Sequence, residues 1–170
     1  MSTPGSRYPL FPGSAPFLSA TELLRAIDGN ADSDRPLAEW ARALGSLYRD
    51  WLAEPADVRI GRQIATVVRD IDSWLSSRLP RPRPGVPRGT DSVGGVIGRV
   101  AEAAAAAHWT LHDAQDTIAR HHAWEHLAEM RAGYEDLVEM VSRGLIHLPR
   151  SWPAISWPGI TTAVPREAGA

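Results

Sequence analysis

Hydrophobic residues recur along most of the chain at alternating intervals of three and four positions, the period of an amphipathic α-helix. One long stripe begins at Pro36, where proline suits the first helical turn, and another follows Pro55. The pattern predicts four long helices. Their apolar stripes are Leu37, Trp40, Leu44, Leu47 and Trp51; Ile60, Ile64, Val67, Ile71 and Leu75; Val93, Val96, Val100, Ala104, Ala107 and Leu111; and Leu127, Met130, Tyr134, Leu137, Val141 and Leu145.

Capping residues predict where two helices begin. Ser19 and Glu22 have the spacing of a capping box, which predicts a short helix ahead of the long ones. Gly29 is expected to end it. Asp91-Ser92 is an N-terminal signal for the helix that carries the third stripe. These helices, and the last one, are expected at about residues 19–28, 92–112 and 116–146.

Proline divides the chain into domain and connecting segments, because 12 of the 14 prolines fall within residues 4–16, 80–87 and 149–165. No segment alternates apolar and polar residues long enough to predict a strand. The sequence therefore predicts an all-α fold, an antiparallel bundle of about four long helices with the short helix packed across one end. The predicted parts are a flexible Pro-rich segment at 1–18, the bundle at 19–149 with an extended Pro/Arg linker at 80–90, and an extended tail at 150–170.

Composition excludes several kinds of chemistry. The chain has no cysteine, and all 18 of its basic side chains are arginine. Thiol nucleophiles, disulfides, Cys-ligated metals and lysine Schiff bases are therefore absent. A net charge near −2 argues against a dedicated nucleic-acid surface. Prolines interrupt the N-terminus, and no window reaches 18 continuous apolar residues, so the sequence predicts a cytoplasmic protein with no membrane partner.

Histidines form the one constellation with the spacing of a metal site. Two pairs, His108 with His112 and His122 with His126, are four residues apart, so both rings of a pair lie on one helical face. If the last two long helices are antiparallel, the pairs can face each other and hold a transition metal. The alternative is that these rings cover the edge of the apolar stripe. No other cofactor is expected.

Two features favour a surface that binds protein. Small residues line a second face of the fourth predicted helix at Gly94, Gly98, Ala101 and Ala105, where a partner helix can approach closely. This face serves either intramolecular packing or a homodimer. The tail repeats Ser-Trp-Pro-x-Ile, which presents Trp152 and Trp157 either to a partner or to the chain's own bundle.

Other patterns have simpler explanations. Glu135, Asp136 and Glu139 lie on the polar side of the last helix, where a solvated acidic face explains them without acid–base catalysis. Arginines occur without a nearby acid in and just before the linker, at positions 78, 81, 83 and 88. They are typical of a solvated loop, although RNA or an acidic partner would fit them. No nucleophile elbow, dinucleotide-binding fingerprint or HExxH motif is present.

Several strings in the second half resemble an uncharacterised actinobacterial family, a domain of unknown function. They are Asp70-Ile-Asp-Ser-Trp74, Asp91-Ser-Val-Gly-Gly-Val-Ile97 and Gly133-Tyr-Glu-Asp-Leu-Val138 with the closing Leu148-Pro149. The resemblance covers about residues 60–149. It implies an actinomycete source and a helical fold, and it implies no activity and no site residues.

The sequence therefore favours a non-catalytic protein-interaction or accessory module, with a protein partner or a second copy as its ligand. The alternative is a metal-binding or metal-dependent helical protein that uses the four histidines.

Overall fold

The computed structural model describes residues 16–31, 33–113 and 116–149. These residues form five α-helices and no β-strand, which confirms the all-α class. Within these ranges, no helix combines the length and the apolar content that crossing a lipid bilayer requires. The helices are α1 (Ala20–Ile27), α2 (Pro36–Ala53), α3 (Val58–Ser76), α4 (Val93–Asp113) and α5 (Thr117–Ser142).

The central helix of the fold is α4, because it packs against each of the other four helices. Those helices follow one another around it in the order α5, α1, α2 and α3, and each contacts the next. No contact joins α3 to α5, so the ring around α4 is open on that side. All five helices contribute to one hydrophobic core, as the predicted bundle requires.

Ring contacts show that neighbouring long helices run antiparallel. Trp40 near the start of α2 packs edge-on against Trp74 near the end of α3, with ring centroids 5.7 Å apart. His108 near the end of α4 packs in the same way against Trp124 near the start of α5, at 5.6 Å. Gly94 at the start of α4 lies against Asp72 near the end of α3, and Gly98 lies against Val68, so α3 and α4 are antiparallel as well. The N-terminal end of α3, the C-terminal end of α4 and the N-terminal end of α5 therefore lie towards the same end of the bundle.

Small side chains allow α4 to occupy the centre. Its buried residues are valine, isoleucine and glycine as far as Val100 and alanine from Ala101 onward. A helix surrounded on most sides leaves little room for long side chains, and alanine also has the highest helix propensity. The buried residues of α4 are Val93, Gly94, Ile97, Gly98, Val100, Ala101, Ala103, Ala104, Ala105 and Ala107.

The short helix α1 packs into the core instead of across one end of the bundle. Its capping box is present, since Ser19 and Glu22 bond reciprocally. Leu18 and Leu23 flank this cap and are both buried, the positions of a hydrophobic staple. The buried hydroxyl of Tyr134 on α5 donates to the Leu18 carbonyl at 2.8 Å. The hydrophobic core therefore begins ahead of residue 19, within the segment at 1–18 that the sequence predicts to be flexible.

Three arginines spaced seven residues apart, two on α2 and one at its N-cap, bond to the backbone at the two ends of α1. Arg35 donates to the carbonyl of Phe17 at 2.7 Å, which lies ahead of α1. Arg42 donates to Ala31 at 2.9 Å, and Arg49 donates to Ile27 at 3.2 Å. The last two carbonyls lie at and beyond the C-terminal end of α1, where backbone oxygens lack helical partners and favour a cation.

The Pro/Arg linker pairs with the segment that follows α5. Arg83 donates its backbone N–H to Gly144, Gly89 donates to His147, and His147 donates to Pro87, each at 2.9 Å. Arg88 and His147 form a parallel bridge. We call residues 83–89 and 144–147 the paired segments. The linker turns at Pro84 and Gly85, where Gly85 has φ +78°, and it closes one end of the open side between α3 and α5.

Two details of the helical pattern differ from the prediction. Leu111 was expected in the apolar stripe of α4, yet 47% of its surface is exposed, because the helix projects beyond the core there. The last helix ends at Ser142 and not near Ile146. Gly144 has φ +64° and stops it, since glycine adopts the left-handed conformation that ends many helices. Most other stripe residues are buried or half-buried as predicted.

We predict that Gly45→Ala lowers the free energy of unfolding by about 1–3 kcal/mol, because a Cβ there overlaps the backbone carbonyl of Ile27. Gly133 is the matched control: it also lies within a helix, but a Cβ there meets nothing. Gly133→Ala is expected to raise the free energy of unfolding by about 0.5–1 kcal/mol. Urea denaturation followed by circular dichroism measures both, and equal effects would contradict the close packing of α1 on α2.

We predict that Tyr134→Phe lowers the free energy of unfolding by about 1–2 kcal/mol, because it leaves the buried Leu18 carbonyl without its donor. Tyr48→Phe is the control, since the half-buried Tyr48 hydroxyl forms no hydrogen bond within the described residues. The same denaturation experiment compares the two variants. A loss as large for Tyr48→Phe would show that removing a tyrosine hydroxyl, and not the loss of the Leu18 bond, lowers the stability.

Candidate functional site

The structure places His108 against α1 and α5 rather than in a group of histidines. Its Nδ1 lies 3.5 Å from Oδ1 of Asp28, the C-terminal cap of α1, and its ring contacts Trp124. His121, which was outside the predicted set, has its Nε2 at 3.0 Å from Glu125. The i, i+4 spacing of that pair was visible in the sequence. The contacts of His108 join α4 to α1 and α5, whereas the contact of His121 joins two residues one turn apart on α5.

The other three predicted ligands, His112, His122 and His126, are exposed. Among the residues that the structure describes, no three His, Asp or Glu side chains lie close enough together to hold one ion. The helical pairs exist because α4 and α5 are helices, but the structure does not gather them into a cluster. Transition-metal binding therefore stays a prediction without a geometric site.

The small-residue face of α4 contacts the chain's own helices. Gly94 lies against the Val68 carbonyl and the Asp72 carboxylate of α3, and a Cβ at Gly94 would be 2.5 Å from that carbonyl oxygen. Ala101 and Ala105 are buried as well. The intramolecular alternative therefore describes this face, including Gly98. A second copy cannot reach it without displacing α2 or α3. The tail tryptophans, Trp152 and Trp157, lie outside the described residues.

Large hydrophobic side chains are exposed at one end of the bundle, the end where α3 begins and where α4 and α5 meet. Five such residues have between 38% and 67% of their surface exposed. Tryptophans and branched aliphatics of this size normally contribute to a core or to an interface. We call this surface the apolar end. Its residues are Val58, Trp109, Leu111, Ile118 and Trp124.

The apolar end does not follow from the predicted stripes, although some of its residues stand out in the sequence. Trp109, Ile118 and Trp124 fall outside the predicted apolar stripes, and a tryptophan outside a stripe indicates a second contact surface. Leu111 was assigned to the core. What the sequence alone does not give is the assembly of residues from three helices at one end, since that depends on the antiparallel packing.

At the opposite end, the open side between α3 and α5 forms a groove above the paired segments. Its cavity has a volume of about 160 Å³. The walls come from α3, the linker, the start of α4, the end of α5 and the residues up to Pro149. We call it the α3–α5 groove. Its apolar lining consists mainly of Leu75, Leu79, Val93, Val141, Ile146 and Leu148.

Asp72 lines this groove and also bonds to the N-terminal end of α4. Its Oδ1 accepts the backbone N–H of Gly94 at 2.7 Å, so a side chain of α3 caps the N-terminus of α4. Ser92 caps the next donor, since its hydroxyl accepts the N–H of Gly95 at 3.1 Å. Burial raises the pKa of Asp72, although its hydrogen bonds with Ser92 and Gly94 lower it.

The remaining charged residues form solvated surfaces, as the sequence indicated. Glu139 and Glu135 pair with arginines one turn away on α5, at 2.8 Å and 3.6 Å, and both carboxylates are exposed. Asp136 is also exposed. Just after α3, Arg78 covers the ring of Trp74, with its guanidinium carbon 4.4 Å from the centroid. None of these groups faces another in the geometry of an acid–base pair.

Comparison with known proteins gives no match: no family model, no curated protein and no solved structure is similar to this chain.

We predict that removing the Asp72 charge changes how stability depends on pH. A carboxyl group with a raised pKa in the folded state favours folding at low pH and loses that contribution as the pH rises through its folded pKa. The free energy of unfolding of Asp72→Asn, minus that of the wild type, should therefore increase as the pH rises from about 4.

Chemical denaturation at a series of pH values measures this difference. Asn still accepts a hydrogen bond from Gly94, so the cap geometry is kept. Asp70→Asn, an exposed position on the same helix, controls for the removal of one carboxylate. A difference for Asp72→Asn that falls with rising pH would show that hydrogen bonding to the carboxylate outweighs its burial.

Proposed function

We propose that this protein is a non-catalytic, cytoplasmic interaction module that binds a protein partner or a second copy of itself through its apolar end. The observation that supports this proposal is the exposure of Trp109, Leu111, Ile118 and Trp124 where α4 and α5 meet, with Val58 exposed at the start of α3, at the same end of the bundle. Interfaces are enriched in tryptophan because a large ring loses much water-exposed surface on binding.

The rest of the molecule supports the same proposal by contrast. The small-residue face is buried in the chain's own core, and the paired segments cover part of the opposite end. The acidic residues of α5 are exposed and paired with arginines along one helix. Every large hydrophobic side chain that is exposed within the described residues belongs to the apolar end, and burying these side chains against a partner would be favourable.

Histidines lie near these residues on α4 and α5 and suit such a contact. His108 packs edge-on against Trp124, and His112 and His122 are exposed close by in the sequence. Imidazole rings supply both a flat surface and hydrogen-bonding nitrogens, so they form a polar rim around exposed apolar groups. In this proposal the histidines contact a protein partner, and they need no metal.

We predict that the triple variant Trp109→Ser, Leu111→Ser and Ile118→Ser loses its assembly or its partner while keeping its helices. Native mass spectrometry of untagged protein, purified without chelator, reports the subunit count and any bound mass in one spectrum. Affinity capture with the wild type and the variant, quantified side by side, reports the partner. Bound protein should fall by at least about tenfold, which corresponds to about 1.4 kcal/mol.

The control is Ala65→Ser, Ala128→Ser and Ala132→Ser, which adds three serines at exposed helical positions without removing a large apolar group. It should assemble and capture as the wild type does. Equal capture by the triple variant would overturn the proposal. A stoichiometric metal mass in the wild-type spectrum, lost on His112→Ala or His126→Ala, would favour the metal-binding alternative.

A further inference from the structure

The α3–α5 groove is an apolar recess in the open side of the ring around α4. Its cavity of about 160 Å³ is bounded by leucine, isoleucine, valine and proline side chains. Leu75 at its base is 1% exposed, whereas Leu79, Ile146 and Leu148 on its sides are half-buried. A recess of this kind favours a flat apolar group, because such a group displaces water from several walls together.

Polar groups in the lining match the chemistry of an indole. A buried tryptophan ring needs an acceptor for its N–H. Asp72 and Ser76 both line the groove. A carboxylate has about four acceptor positions, and Asp72 uses part of them for Gly94 and Ser92. Arg81 also lines the groove and can stack on the ring face as a cation.

A tryptophan of the same chain follows the groove closely in sequence. Pro149 is the last residue that the structure describes, and it lines the groove. Trp152 follows three residues later, within about 10 Å of Pro149 even for a fully extended chain. A short connection keeps the local concentration of that ring in the millimolar range, so a weak contact is already populated. Trp157 lies five residues further along and has a longer connection.

We propose that the α3–α5 groove is the docking site for Trp152 of this chain's own C-terminal tail. The ring enters between Leu79 and Ile146, and its N–H donates to Asp72 or Ser76. This inference concerns the end of the bundle opposite the apolar end, so it stands or falls independently of the proposed function.

Trypsin cleavage after Arg150 tests the docking in the full chain. Arg150 lies between the groove and Trp152, so docking holds this bond out of the protease and slows its cleavage. Trp152→Ala should speed cleavage at Arg150 by about tenfold, whereas Trp157→Ala should leave it within about twofold. Cleavage at Arg166, further along the tail, gives an internal reference by mass spectrometry. Peptides spanning residues 146–160 with the same substitutions correct for the sequence preference of trypsin.

A variant on the groove side completes the test. Leu79→Ser changes the wall without touching the tail, and it should speed cleavage at Arg150 as Trp152→Ala does. The double variant should add little further, because the two changes remove one contact. Circular dichroism shows whether Leu79→Ser is folded, and Trp152→Ala tests the proposal even where it is not.

Three outcomes would overturn the proposal. Cleavage at Arg150 that is equally fast in the wild type and in Trp152→Ala shows that the ring does not dock. Acceleration by Trp157→Ala alone assigns the groove to the second copy of the repeat. Protection that disappears on dilution shows that the groove holds the tail of a second molecule.

Discussion

The fold depends on how closely backbones approach at the central helix α4 and at the contact of α1 with α2. Gly94 leaves α3 within reach of the α4 backbone, and Gly45 does the same for α1 on α2. At both positions an added methyl group would meet a backbone oxygen, which no rotamer change relieves. With small residues there, one helix serves as the common neighbour of four others. Longer side chains would require a wider bundle with a hollow centre.

Much of this architecture could be predicted from periodicity. The apolar stripes, the capping box at Ser19 and the proline boundaries depend on residues close in sequence, and each predicts its element. The central position of α4 could not be predicted in that way. A helix of alanine, glycine and valine has a weak stripe, and its small-residue face fits an internal contact and a partner equally well. Only the positions of α2 and α3 decide between them.

For the candidate surfaces as well, the sequence predicts spacing along one helix but not the contacts between helices. The helical spacing of His108 with His112 was correct, but a metal site also requires the rings of two helices to converge, and that depends on helix rotation. Asp72 gave no sequence signal for capping α4, because its partner Gly94 is distant in sequence and reaches it only through packing. The seven-residue spacing of Arg35, Arg42 and Arg49 is visible in the sequence. The groups that accept their hydrogen bonds are backbone carbonyls, which every residue has, so the sequence does not identify them.

The paired segments have a consequence for the order in which the molecule assembles. They join the chain just before α4 to the chain just after α5, so the intervening helical hairpin is a loop closed at its base. Closing a loop of that length costs chain entropy that its few backbone bonds do not repay alone. We therefore expect the closure to form late in folding, once α4 and α5 are already packed. Exchange of this hairpin with that of another molecule would first have to break these backbone bonds.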